Sequence, residues 1–121
     1  MSFSIYHSQT FDDKLETFPS VFKEWVDKIE EQLTENPYVG DPIRVPWFRE
    51  KKKGKHRIYY LIYNDLHAVY LVAISEKKDQ QRVINTIWLL LDHFHDEIRN
   101  LVKELFYFSY SSFFYVFETA H

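Results

Sequence analysis

The chain has 121 residues, of which 45% are hydrophobic and 27% charged, with only 2 Gly; this is a globular composition and excludes disordered and fibrous classes. It has no Cys, so disulfides, thiolate metal sites and thiol nucleophiles are excluded, which fits a reducing, cytoplasmic setting. No signal peptide and no membrane association are expected, because residues 1–10 lack a basic start and an apolar stretch, and runs such as Ile87–Leu91 are too short to span a bilayer.

The formal net charge of −3 hides a division along the chain. Residues 1–48 carry nine acids against four bases, residues 49–57 six bases and one acid, and residues 58–121 eight acids against five bases. A short segment is thus a concentrated cation on an acidic chain. Such a segment serves either as a solvated loop or as the electrostatic footprint that phosphate binding needs.

Phe3, Ile5 and His7 alternate with polar or small residues and predict a short first strand. Thr10-Phe11-Asp12-Asp13 has capping-box spacing, predicting a helix over about 11–17. Pro19 then opens a second helix whose apolar stripe is Val21, Phe22, Trp25, Val26, Ile29 and Leu33, and Asn36-Pro37 closes it. After the turn residues Tyr38–Pro42 the period becomes strand-like. Strands are predicted over 43–50, with Pro46 requiring an edge or a bulge, and over 56–63 and 67–74, joined by Asn64-Asp65-Leu66. Lys51–Lys55, with Gly54, is predicted as the turn between the first two.

From about Glu76 to Phe106 the pattern is helical again, with Ile84, Ile87, Leu91, Phe94, Ile98, Leu101 and Leu105 forming a seam. An uninterrupted helix would be roughly 45 Å long, so either it breaks near Asp92–Asp96 or another chain covers its far half. The segment 106–117 has eight aromatic residues in twelve and no charge, and is expected to be an extra strand or a homodimer contact. The fold class expected is α+β, a single domain over 1–121 in the order β–α–α–β–β–β–α plus an aromatic tail.

The element order, together with the run Trp47-Phe48-Arg49-Glu50-Lys51-Lys52-Lys53-Gly54-Lys55-His56-Arg57-Ile58-Tyr59-Tyr60, resembles the RelE/ParE superfamily of type II toxins. That pattern is a basic strand, a Gly-containing turn, an Arg opening the next strand and a Tyr soon after. The resemblance extends over roughly 3–90, through Glu35-Asn36-Pro37 and Ala73-Ile74-Ser75-Glu76-Lys77-Lys78, and leaves the last thirty residues uncovered. It implies a RelE-like fold, a cognate antitoxin as partner, and ribosome-dependent mRNA cleavage without a metal or other cofactor, the ribose 2′-hydroxyl attacking the adjacent phosphate. This chemistry needs a base for the 2′-proton, an acid for the departing 5′-oxygen and cations for the phosphorane charge.

By its place in the motif, Arg57 is implied to bind the transition-state phosphate, since its planar fork stays charged and donates bidentately. Arg49, Lys51, Lys52, Lys53 and Lys55 match the basic strand and turn, where crowded lysines, Lys52 first, either act as base or hold the RNA backbone. Lys77 and Lys78 fall where the family places a basic residue after the last strand, and Arg82 follows them. His56 is the imidazole of the segment and a candidate general acid or base. Active relatives often carry a Tyr or His late in the chain; residues 80–84 have neither. Tyr59, Tyr60 and Tyr63 are expected in the core more than under a stacked base. His93 with Glu97, and Asp92 with Asp96, are i, i+4 pairs, but two ligands are not a site, and no metal is expected. Two other readings stay open: a non-nucleolytic ParE-like protein that binds another protein, and a scaffold that forms a homo-oligomer.

Overall fold

The run His56–Tyr63 is almost continuously apolar, and this composition suits a strand buried on both faces. It forms the centre of the sheet. The computed structural model describes residues 2–119, and the side chains of residues 2–105. Its elements are β1 (Ser4–His7), α1 (Gln9–Glu16), α2 (Ser20–Glu35), β2 (Asp41–Ile43), β3 (Val45–Lys53), β4 (His56–Tyr63), β5 (Ala68–Glu76), α3 (Gln80–Leu89) and α4 (Leu91–Thr119). The five strands lie in the order β1-β5-β4-β3-β2, with β1 parallel to β5 and the other neighbours antiparallel. The chain divides after Leu90 into two compact units.

In the first unit, α1 and α2 cover one face of the sheet. Phe11, Phe22, Val26, Ile29 and Leu33 pack there against Ile58, Tyr60, Ile62, Val69, Leu71 and Ile74, all buried. Val21, placed in the predicted stripe, is 65% exposed, and Trp25 only borders the core. The other face carries Phe48, Tyr59, Leu61 and Tyr70, with α3 against β5 and the Trp88 ring edge-on to Phe48 at 5.7 Å.

Local chemistry moves several predicted boundaries. Ser8, not Thr10, caps α1: its Oγ accepts from the Phe11 N–H at 3.1 Å. Pro19 stands one position earlier than predicted, as the extended residue before α2. The strand predicted over 43–50 is two strands. Arg44, at φ 68°, turns the chain so that β2 pairs back on β3. Pro42 then sits in the edge strand and Pro46 lies ahead of the β3–β4 ladder, which begins at Phe48, so neither proline removes a central hydrogen bond. Lys51–Lys53 belong to β3, and Gly54 at φ 58° with Lys55 makes the two-residue turn.

The second unit is α4 alone. The predicted helix over 76–106 is interrupted at Leu90, earlier than Asp92–Asp96, and Asp92 falls in the first turn of α4, where a carboxylate favours a helix start. Periodicity cannot register this break, because one non-helical residue barely shifts a seam spaced by three and four. The backbone of 106–117 continues α4 and is not a strand; the burial expected of its eight rings lies outside the described side chains.

Two polar contacts, one buried and one half-buried, tie the sheet to its surroundings. The Tyr60 hydroxyl donates to the Pro37 carbonyl at 2.8 Å and accepts from the Gly40 N–H at 3.0 Å, and burial pushes its pKa up to about 12. Tyr60→Phe leaves a buried N–H and a C=O unpaired and should cost about 1–3 kcal/mol in urea unfolding. The His7 imidazole, at the end of β1, bridges Glu30 of α2 and Asp12 of α1, and the Glu30 hydrogen bond leads in raising its pKa from 6.5 to about 8. A raised folded-state pKa gives stability that is complete below 6.5 and is lost as pH climbs through 8. Unfolding free energy should fall by about 2 kcal/mol between pH 6 and 9, and His7→Gln should flatten that dependence; equal slopes for the two proteins would refute this role.

Candidate functional site

Pleat alternation and the β3–β4 register divide the cationic segment between the two faces of the sheet. Lys52 pairs with Arg57, Glu50 with Tyr59 and Phe48 with Leu61; the intervening pairs are Arg49 with Tyr60, Lys51 with Ile58 and Lys53 with His56. Since cross-strand partners share a face, Arg57, Lys52, Glu50 and Tyr59 project on the α3 side. Arg49, Lys51, Lys53 and His56 project on the side of α1 and α2.

On the α3 side Arg57 is 7% exposed. Its Nη1 donates to the Gly54 and His56 carbonyls, each at 3.2 Å, its Nε has no hydrogen-bond partner, and no carboxylate pairs with it among the described residues. Burying a guanidinium with no carboxylate at ion-pair distance is costly, and setting it opposite Lys52 adds like-charge repulsion. An anion reaching this guanidinium would offset that cost.

Lys52 is held at 3.8 Å from Glu50 Oε1 and 3.6 Å from Asp41 Oδ2. Glu50 is buried, and Gln80 at the start of α3 donates Nε2 to both of its oxygens, at 3.2 and 2.9 Å. Beside them the Tyr59 hydroxyl meets Ser75 Oγ at 2.8 Å, and burial, the largest influence, raises the Tyr59 pKa. Ser75 is the β5 partner of Arg57. The face therefore combines two cations, one buried carboxylate and a buried hydroxyl pair. Glu50, Gln80, Ser75 and Tyr59 were not singled out for this face from the sequence. The signal for Glu50 was present, two residues before Lys52 on the same pleat, but only the register shows that Ser75 and Gln80 meet it.

On the other face the predicted residues have different surroundings. Arg49 donates to the Gly40 carbonyl at 2.9 Å and the Pro46 carbonyl at 2.8 Å and lies over the Tyr38 ring, so it ties down the turn before β2. His56 sits edge-on to Phe18 and Phe22, at 5.0 and 5.5 Å. Lys53 lies over the Trp25 ring at 5.7 Å. At the strand ends, Lys55 and Lys78 approach Glu76 at 3.7 and 3.6 Å, and Lys55, followed by Lys78, lowers the Glu76 pKa. The backbone N–H of Lys77 donates to the Lys55 carbonyl at 2.7 Å, and Arg82 pairs with Asp79 at 3.8 Å. His93 and Glu97 of α4 form an exposed ion pair at 3.4 Å.

Solved structures share this fold. A RelBE toxin–antitoxin complex from Mycobacterium tuberculosis matches at a TM-score of 0.55 and 19% identity, over 63% of this chain and 99% of the matched one. The fold is RelE-like. A free arginine-to-alanine mutant of Escherichia coli RelE matches at a TM-score of 0.60 and 13% identity, over 67% of this chain and 90% of that one. The intact E. coli RelBE toxin–antitoxin complex gives 0.56 and 13%, over 62% and 96%. The RelE-like part thus accounts for nearly the whole of these toxins and about two thirds of this chain. No protein-family model matches the chain, and no curated protein matches it in sequence.

If Arg57 is held for an anion and not for the fold, Arg57→Met should leave thermal unfolding unchanged or raise stability by about 1 kcal/mol. A loss of 2 kcal/mol or more in calorimetry would mark the residue as structural.

Proposed function

We propose that this protein is a RelE-type toxin, a ribosome-dependent endoribonuclease that cleaves mRNA and is neutralised by a cognate antitoxin protein. What supports the reading most is Arg57, a buried guanidinium without a carboxylate partner among the described residues, at the head of the central strand of a RelE-like sheet. In the reaction the ribose 2′-oxygen attacks the adjacent phosphorus and the bond to the 5′-oxygen breaks. Arg57, with Lys52 across the ladder, holds the charge that builds on the non-bridging oxygens. Two groups on this face can exchange the 2′-proton, the Lys52 amine and the Glu50 carboxylate, and Gln80 keeps the latter oriented. Lys77, one residue past β5, is assigned to protonation of the 5′-oxygen. Lys51, Lys53, Lys55, Lys78 and Arg82 supply the surrounding positive field along the RNA backbone, while Arg49 and His56 support the turn and the helix face.

Arg57→Ala should lower the rate of mRNA cleavage on translating ribosomes at least 100-fold, and Lys52→Ala or Glu50→Gln at least 10-fold, with each variant still folded by circular dichroism. Mapping mRNA 5′ ends checks this. Unchanged 5′ ends with the wild-type protein would exclude the nuclease reading and favour a partner-binding member of the fold.

A further inference from the structure

Beyond the Arg57 face lies a cavity of about 380 Å³ between α1 and α3. It exists because β1 pairs with β5 only as far as His7 opposite Leu71. At Ser8 the chain leaves the sheet and turns into α1, which packs against β5, so residues 72–76 have no strand beside them on that edge. The volume lies in the range of small-ligand pockets, about 300–1,000 Å³.

The lining has the chemistry of a nucleotide. Lys14 and Thr17 supply an ammonium and a hydroxyl from the end of α1, and Lys78 and Arg82 face them from the start of α3 and the turn before it. Phe18, edge-on to the His56 ring, is an apolar wall. Glu76 and Asp79 also line the cavity, but each is engaged with a cation, Glu76 with Lys78 at 3.6 Å and Asp79 with Arg82 at 3.8 Å. Both pairs are solvent-exposed and loose, so they exchange readily for a phosphate. The Lys14 ammonium has no carboxylate partner among the described residues.

We propose that this cavity, which reaches Ser75, the β5 partner of Arg57, binds one nucleotide of single-stranded RNA, with Lys14, Lys78 and Arg82 on its phosphate and Phe18 against its base. The proposal rests on the RNA-cleaving reading above. Binding of a labelled single-stranded RNA hexanucleotide, followed by fluorescence anisotropy at several salt concentrations, separates the two. Lys14→Glu should weaken binding about tenfold, and Lys14→Gln should lower the log–log salt slope by about 0.7, the value of one phosphate contact on a single strand, with unfolding midpoints unchanged. If both Lys14 variants bind as wild type while Arg57→Ala is weakened, the cavity is not a nucleotide subsite and the RNA reading stands. If the wild-type protein does not bind the hexanucleotide yet cuts mRNA on translating ribosomes, the cavity proposal falls and the cleavage reading stands; if it does neither, both fall. If a poly-glutamate peptide binds and only its affinity depends on Lys14, the cavity is a site for acidic protein segments and the proposal is overturned.

Discussion

The antiparallel ladder between β3 and β4 constrains everything else about the candidate site. Gly54 takes the left-handed conformation that a two-residue turn requires, so the register is set at Lys53 opposite His56 and is carried up the ladder to Phe48 opposite Leu61. From that register the pleat sends alternate side chains to opposite faces. A slip of one residue would exchange the faces of Arg57 and Ile58, placing a charge in the aromatic core under α2. The hydrophobic demand that Ile58, Tyr60 and Ile62 meet the helices thus aims Arg57 and Lys52 the other way.

That side is not simply polar. Phe48, Tyr59, Leu61 and Tyr70 are buried there, and Arg57 lies at the edge of the same layer with its Nε unsatisfied. Low local polarity strengthens the attraction of this guanidinium for an anion and raises the cost of leaving it alone. Other polar groups of the sheet are satisfied, the Tyr59 hydroxyl by Ser75, the Tyr60 hydroxyl by the Pro37 carbonyl, and His7 by the carboxylates of both helices. The Glu50–Lys52–Gln80 group adds a second device, a buried carboxylate held by an amide so that the neighbouring ammonium stays close.

Comparison of the chain pattern with the folded protein separates local from non-local information. The apolar period located α2 and β4 closely, and Asn36-Pro37 ended α2 where the backbone rule requires. Strand β2 was missed because its separation from β3 depends on a single positive-φ residue, Arg44, which has no side-chain signature. The helix interruption at Leu90 was missed for a similar reason: a one-residue break leaves the seam almost intact. Within the site, Arg57 and Lys52 were legible from the basic segment itself. His56, Lys51 and Lys53 belong to the same run of charge but to the other face, and a linear count of charge does not distinguish faces.

The sequence by itself determined the class of the fold, the central strand, the amphipathic α2 and the concentration of positive charge between Arg49 and Arg57, because each is written in residues near one another along the chain. Only the tertiary structure decided that no acid among the described residues forms an ion pair with Arg57, that Glu50 is gripped by Gln80 thirty positions later, and that α1 leaves a cation-lined cavity beside β5. These depend on strand register and on which helix covers which face. They are settled by long-range packing, where the energy of burying one side chain chooses the position of its neighbours.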